Sequence, residues 1–337
     1  MKRSLCIFLA ALFLAWTAEP LCADSSRRLP AIYSVSTFGG STRDYTTLAA
    51  WESDTDNNLT EGGIGAQTCG QVLDCYPDSA SYDQRVTLMG ATANAGYFRV
   101  IRAAPGHERQ VVFDYTGALG TYEGVICVNG ESYAGIYDLV IRHHVNQDNI
   151  TKDLFFQSNP YACRVVGCVA GPSENANPTG VGGAQTYNGR AVFINTTFLG
   201  NNTGVEYGII AGTADTAAYN CIFYGWSTGW YGAAAGSFAK NSIFQANGAD
   251  FYSNTPALTT CIYSGHGTAS FVDPASGNFR LADSDTNARD QGTNLSADTM
   301  FAFTDDFDGD ARPYGSAWDI GVDEWTAPTA LVSIPVF

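Results

Sequence analysis

The chain predicts an all-β fold: a right-handed parallel β-helix, a solenoid with a short N-terminal capping helix and a C-terminal cap. Four near-copies in its second half carry that expectation: Ile194-Asn-Thr-Thr-Phe198, Tyr219-Asn-Cys-Ile-Phe223, Lys240-Asn-Ser-Ile-Phe244 and Thr259-Thr-Cys-Ile-Tyr263. Each places a small residue two positions before an aromatic, so both side chains leave one face of a strand. Weaker copies precede them at Asp138–Ile141 and Gly167–Ala170, and the aligned positions Asp138, Gly167, Asn195, Asn220, Asn241 and Thr260 lie 29, 28, 25, 21 and 19 residues apart. A loosely kept step of this size marks stacked rungs, none of which buries its apolar face alone. Between the copies the apolar residues alternate or form short β-branched and aromatic runs broken by Gly, Asn, Asp and Ser, which reads as strands and turns. The 36 glycines suit the tight corners such a coil requires.

The aligned columns state the packing. The second position holds Leu139, Cys168, Thr196, Cys221, Ser242 and Cys261; the fourth holds Ile141, Ala170, Phe198, Phe223, Phe244 and Tyr263. Rungs of a parallel sheet lie about 4.8 Å apart, so like residues stack into internal ladders, with Phe198, Phe223, Phe244 and Tyr263 expected as one of them. Asn195, Asn220 and Asn241 share the first column and read as an amide ladder or turn. This pattern resembles the right-handed parallel β-helices of the pectate-lyase-like superfamily over roughly residues 85–283, through a structural rather than a catalytic motif.

In chain order, residues 1–23 carry Lys2 and Arg3, an apolar stretch from Leu5 to Trp16 and then Leu21-Cys-Ala23, which reads as a secretory signal. Residues 24–84 form an N-terminal segment and cap, in which Thr46–Glu52 combines a hydroxyl N-cap with good helix formers. A helix there would cover the first rung's open edge. The stretch Asp44–Ser53 resembles the N-terminal segment of secreted and phage-associated β-helix proteins. The coil is expected over 85–283 and a cap over 284–326, its Phe301, Phe303, Ile320 and Trp325 covering the terminal rung, followed by a tail, 327–337. The order Phe271–Pro274, Asn278–Leu281, Arg289–Gly292, Asp306–Arg312 and Asp319–Trp325 is similar to the C-terminal end of choice-of-anchor surface β-helix proteins.

Composition excludes whole classes of function. The formal charge is −16, and removing residues 1–23 leaves −17, so the surface repels nucleic acid and anionic membranes. The same charge counts against polyuronate ligands unless calcium bridges them. No stretch is long enough for a comfortable membrane span. Seven cysteines follow the signal: Cys69 and Cys75 are expected to pair, Cys163 and Cys168 form a weaker pair, and Cys168, Cys221 and Cys261 read as buried thiols. The last three fall on alternate rungs, about 9.6 Å apart, beyond the roughly 4.4–6.8 Å Cα reach of a disulfide.

Three constellations carry candidate chemistry. Arg142, His143 and His144, with Asp148, Lys152 and Asp153 close behind, follow a strand and offer a general base and a carboxylate- or sulfate-binding guanidinium. Tyr224, Trp226, Trp230 and Tyr231 offer rings that stack on sugar faces or cover a rung flank. Asp306, Asp308 and Asp310 alternate carboxylates around Gly309, a pattern suited to calcium or to a plain Asp-Gly turn. The first reading is a secreted or surface-exposed protein that binds an extracellular polysaccharide or builds structure without catalysis. The alternatives are a polysaccharide lyase or glycoside hydrolase, and a phage-like tail or receptor-binding component. The partner expected is a glycan, with the oligomeric state open.

Overall fold

The computed structural model describes residues 26–60, 69–120, 122–144, 152–158, 160, 162–172, 179–201 and 205–326. The expected signal (1–23), the tail (327–337) and Asp148 lie outside them. Among the described residues no helix is long and apolar enough to cross a membrane.

The chain is an all-β parallel β-helix with three long sheets. Sheet I has nine parallel strands: Tyr33–Phe38, Gly70–Cys75, Arg99–Ala103, Gly135–Tyr137, Cys163–Val166, Ala191–Ile194, Ala217–Tyr219, Phe238–Lys240 and Ala257–Thr259. Sheet II has six, from Val112–Tyr115 through Val140–His143, Val169–Ala170, Thr197–Leu199 and Ile222–Tyr224 to Ile243–Gln245. Sheet III has seven: Val86–Met89, Ile126–Asn129, Lys152–Gln157, Thr179–Thr186, Val205–Ala211, Thr228–Tyr231 and Ala249–Tyr252. From Arg99–Ala103 onward the chain visits I, II and III in turn, and each visit adds one strand beside the last, as in Phe198↔Phe223 and Phe223↔Phe244.

The corner from sheet I to sheet II explains the repeated asparagine. Asn195, Asn220 and Asn241 have φ of 48°, 50° and 47°, a left-handed conformation that Asn tolerates better than most residues. Their N–H groups donate to Tyr219 O, Lys240 O and Thr259 O of the next coil at 3.0, 2.9 and 3.0 Å. The Asn220 amide donates to Asn195 Oδ1 at 3.3 Å. The column is a ladder of corner residues.

Inside the coil, Phe198, Phe223 and Phe244 stack with ring centres 4.8 and 4.5 Å apart and planes within 3°. Tyr263 packs against Phe251 and stacks on His266 instead, because no complete coil follows to hold it in line. At the N-terminal end the helix Leu48–Thr55, capped by Thr47 accepting from Ala50 N–H, buries Leu48 and Trp51 against Phe38, Cys75 and Val86.

Two expectations change. Cys69 and Cys75 do not pair: they bracket one extended strand, so they lie about 20 Å apart, and both thiols are free. A Cβ at the Gly70 between them would run into Pro30. Cys163, Cys168, Cys221 and Cys261 are also free thiols. Secondly, residues 284–326 do not close the last rung but run along the outside as a strap over the asparagine corner. Leu295, Phe303 and Trp318 pack on the outer face of sheet I with Tyr137, Val166 and Tyr219, while Ile320 and Val322 pack with Ile222 and Ile243 of sheet II. The reason lies in the strands themselves. Ala191–Ile194, for example, is buried at all four positions, so its outer face also needs apolar cover.

Candidate functional site

The strand Val140–His143 lies beside Val112–Tyr115 with Asp114 opposite Arg142 and Tyr115 opposite His143. Alternation turns the first pair outward and the second inward. The Asp114 carboxylate takes Arg142 Nη2 at 2.8 Å on one oxygen and His144 Nδ1 at 2.6 Å on the other. Arg142 and His144 are therefore brought together by a carboxylate that sequence reasoning missed. His143 is 1% exposed, its Nε2 lies 2.8 Å from Gly117 O, and its ring stacks on Tyr115 at 5.7 Å. Burial pulls its pKa down, the Gly117 carbonyl opposing. A neutral ring bonded to the backbone inside the wall is a packing residue, so the expected general-base role at His143 does not fit. Lys152 and Asp153 are buried in sheet III, and burial lowers the Lys152 ammonium to about 8.

The aromatic set divides. Trp226 and Trp230 are fully buried; Trp226 Nε1–H donates to Phe198 O at 3.0 Å, and Trp230 packs 6.0 Å from Phe223. They fill the coil rather than meet sugar, because Trp230 belongs to the strand Thr228–Tyr231 and alternation sends it inward. Tyr224 points outward but beneath Phe271 and Phe279. Of the four, Tyr231 alone is left on an uncovered outer face, and three rungs separate Trp226 from the histidines.

The three aspartates do not converge on a point. Asp306 is buried, with Oδ1 accepting the N–H groups of Asp308 and Asp310 at 2.9 and 2.8 Å and Oδ2 accepting Glu324 N–H at 2.9 Å. Asp308 pairs with Arg109 and Arg280, both at 2.6 Å. This is a closed turn and an ion-pair junction, and among the described residues no cluster of three metal-ligating side chains occurs. The expected calcium set at Asp306, Asp308 and Asp310 is not assembled.

What the sequence did not reveal is a groove on the outer face of sheet I, walled by the strap. Two open depressions, about 250 and 120 Å³ in volume, meet at Ala162, Met300 and Phe301. Arg28, Tyr133 and Arg164 line one; Arg190, Asp215 and Phe238 line the other. Four strands contribute to the lining, Cys163–Val166, Ala191–Ile194, Ala217–Tyr219 and Phe238–Lys240, a run of about 14 Å at the usual spacing. The Arg164 guanidinium lies over the Phe301 ring, 4.8 Å from its centre. Arg190 Nη2 pairs with Asp215 at 2.6 Å, and Asp215 also accepts Gly236 N–H at 3.0 Å.

No family model and no curated protein matches the chain. Among solved structures it is similar to the crystal structure of pectate lyase Pel9A, with a TM-score of 0.34 and 13% identity, over 90% of this chain and 100% of that one. A likeness of this grade transfers no residue and no activity, and the fold stands on the three sheets described above.

Proposed function

We propose that the chain is a secreted or surface-exposed β-helix protein that holds an extracellular polysaccharide without cleaving it. The arginine- and aromatic-lined groove on sheet I supports this reading. In a chain of formal charge −16, three guanidiniums on one face make a local exception, and that exception suits a glycan bearing carboxylate or sulfate. A guanidinium has five N–H donors, so one partner does not exhaust it. Four strands of sheet I carry part of the lining, which limits the ordering cost of binding there. The apolar-to-polar mixture and the axial run of the groove fit an extended sugar chain. The amino-terminal signal pattern and the C-terminal motifs support export and surface exposure.

The test is affinity electrophoresis and calorimetry against polygalacturonate, a sulfated polysaccharide and neutral polymers. Acidic chains should bind, and salt should weaken that binding. The pair Arg164→Gln and Arg190→Gln should lower affinity at least about tenfold with the melting temperature kept, in line with loss of charge-assisted contacts. A wild-type protein that retains no acidic polysaccharide, or a double variant that binds as tightly, ends this reading.

A second reading has one observation in its favour, the Asp114–His144 contact at 2.6 Å, an imidazole oriented by a carboxylate beside Arg142. If it works as a lyase or hydrolase base, His144→Ala lowers turnover by about 10²–10⁴. Absence of both reducing ends and unsaturated products with wild-type protein would exclude it.

A further inference from the structure

A separate cavity of about 240 Å³ opens on the outer face of sheet II, between that sheet, a hairpin and the strap. Each of the three supplies part of its wall. Val169 and Thr197 are register partners on adjacent rungs; Ala170 and Phe198 point into the coil, so alternation sends both neighbours outward, toward the cavity. The antiparallel hairpin of Phe271–Asp273 with Asn278–Leu281 brings Phe279 and Arg280, and the strap brings Phe307 and Asp323. Thr197 and Asp323 are 2% and 7% exposed. One Asp323 oxygen accepts Leu281 N–H at 3.2 Å. Neither its other oxygen nor the Thr197 hydroxyl has a hydrogen-bond partner among the described residues. Buried polar groups are nearly always paired, so two unpaired ones on a single cavity point to a ligand that pairs them.

We propose that this cavity binds a single neutral pyranose, free or at the end of a glycan, through hydroxyls bonded to Thr197 and Asp323. The lining argues by elimination. An anion would meet the Asp323 carboxyl, and a cation would meet the Arg280 guanidinium, which Asp308 holds at 2.6 Å. A hydrocarbon would suit Val169, Phe279 and Phe307 but leave the hydroxyl and the carboxyl unpaired. A sugar ring brings C–H edges to the apolar wall and hydroxyls, each both donor and acceptor, to the polar groups. Phe279 already packs on Tyr224 and Phe271, and Phe307 lies beneath Arg109, so these rings serve as wall and not as a stacking platform. The volume equals that of about eight waters at their share of the liquid, which suits one ring with its substituents.

Calorimetry and ligand-observed NMR on the full chain, with methyl glycosides of glucose, galactose, mannose and xylose and an oligosaccharide of each, test this. Wild type should bind at least one methyl glycoside, with little dependence on salt. Thr197→Val and Asp323→Asn should each weaken it about three- to tenfold. Neither should lower the melting temperature, which marks loss of a ligand contact and not of the fold. Arg164→Gln with Arg190→Gln should leave it unchanged, so this site and the groove on sheet I can fail separately. An oligosaccharide that binds as well as its methyl glycoside identifies the ligand as a chain end, and one that does not bind identifies it as a free sugar; either supports the site. Absence of binding by all four sugars at tens of millimolar overturns the proposal, as does unchanged affinity in both variants. Tetrahydropyran, the same ring without hydroxyls, should not compete, and equal binding by it would overturn the assigned pairing.

Discussion

Asp323 is 7% exposed, and burial, followed by repulsion from Asp306 and Asp308, pushes its carboxyl up to about 7 against the opposing Leu281 N–H. An acid with a raised folded pKa binds its proton more tightly in the native state, so its contribution is full below about pH 4 and is lost as pH rises through 7. Asp323→Asn keeps the acceptor for Leu281 N–H and removes the charge. The variant should therefore be more stable than wild type by about 2–4 kcal/mol at pH 8 and equal to it near pH 4. Thermal melts at the two pH values check this, and a less stable variant at pH 8 would contradict it. The phenylalanine stack offers a second residue-scale test. Phe223 has Phe198 and Phe244 on its two faces and is fully buried, so Phe223→Ala should cost about 3–5 kcal/mol in urea titration. These residues were legible because identical chemistry recurs at each corner. Trp226 and Trp230 were not, since a shift of one position along a strand exchanges inside for outside and nothing local to the sequence marks where that strand begins.

The elements that hold the coil closed are the asparagine corner and the strap across it. Asn195 Nδ2 donates to Asp305 O at 3.0 Å, and Asn241 exchanges bonds with Thr293 at 2.8 and 2.9 Å. At the far end Arg27 reaches Asp138 through Nε and Nη2, both at 2.8 Å, and Asp305 at 3.0 Å, while Arg109 donates to Phe307 O at 2.8 Å. Asp138→Asn keeps a side chain tolerant of its φ of 60° but leaves two largely buried guanidiniums short of a counter-charge. It should cost about 3–5 kcal/mol, read as a lower urea midpoint with unchanged slope. The coil itself could be read from spacing, because each rung repeats. The strap's course could not, because its apolar residues fit a terminal rung or an outer face equally well. The groove was hidden for a related reason: Arg28, Arg164 and Arg190 are scattered in the chain and become neighbours only through rung register.

For the whole molecule, a formal charge of −16 means that compaction works against self-repulsion. Exposed ion pairs such as Arg190–Asp215 contribute only about 0–1 kcal/mol each. Repulsion should dominate, so raising sodium chloride from near zero to about 0.15 M, where the screening length falls to about 8 Å, should raise the melting temperature at pH 8. A fall would mean that the ion pairs outweigh it. The strap also has a meaning in time. Asp305 binds Ser26 at 2.8 Å across 279 residues of chain. Rungs close as each is completed, yet the segment that seals the first of them is made last. A growing chain therefore carries bare apolar outer faces on sheets I and II until its final stretch emerges, and closure of so long a loop is slow. Nascent chains arrested before residue 284 should stay open to protease along those faces, and protection should arrive all at once when the strap is released.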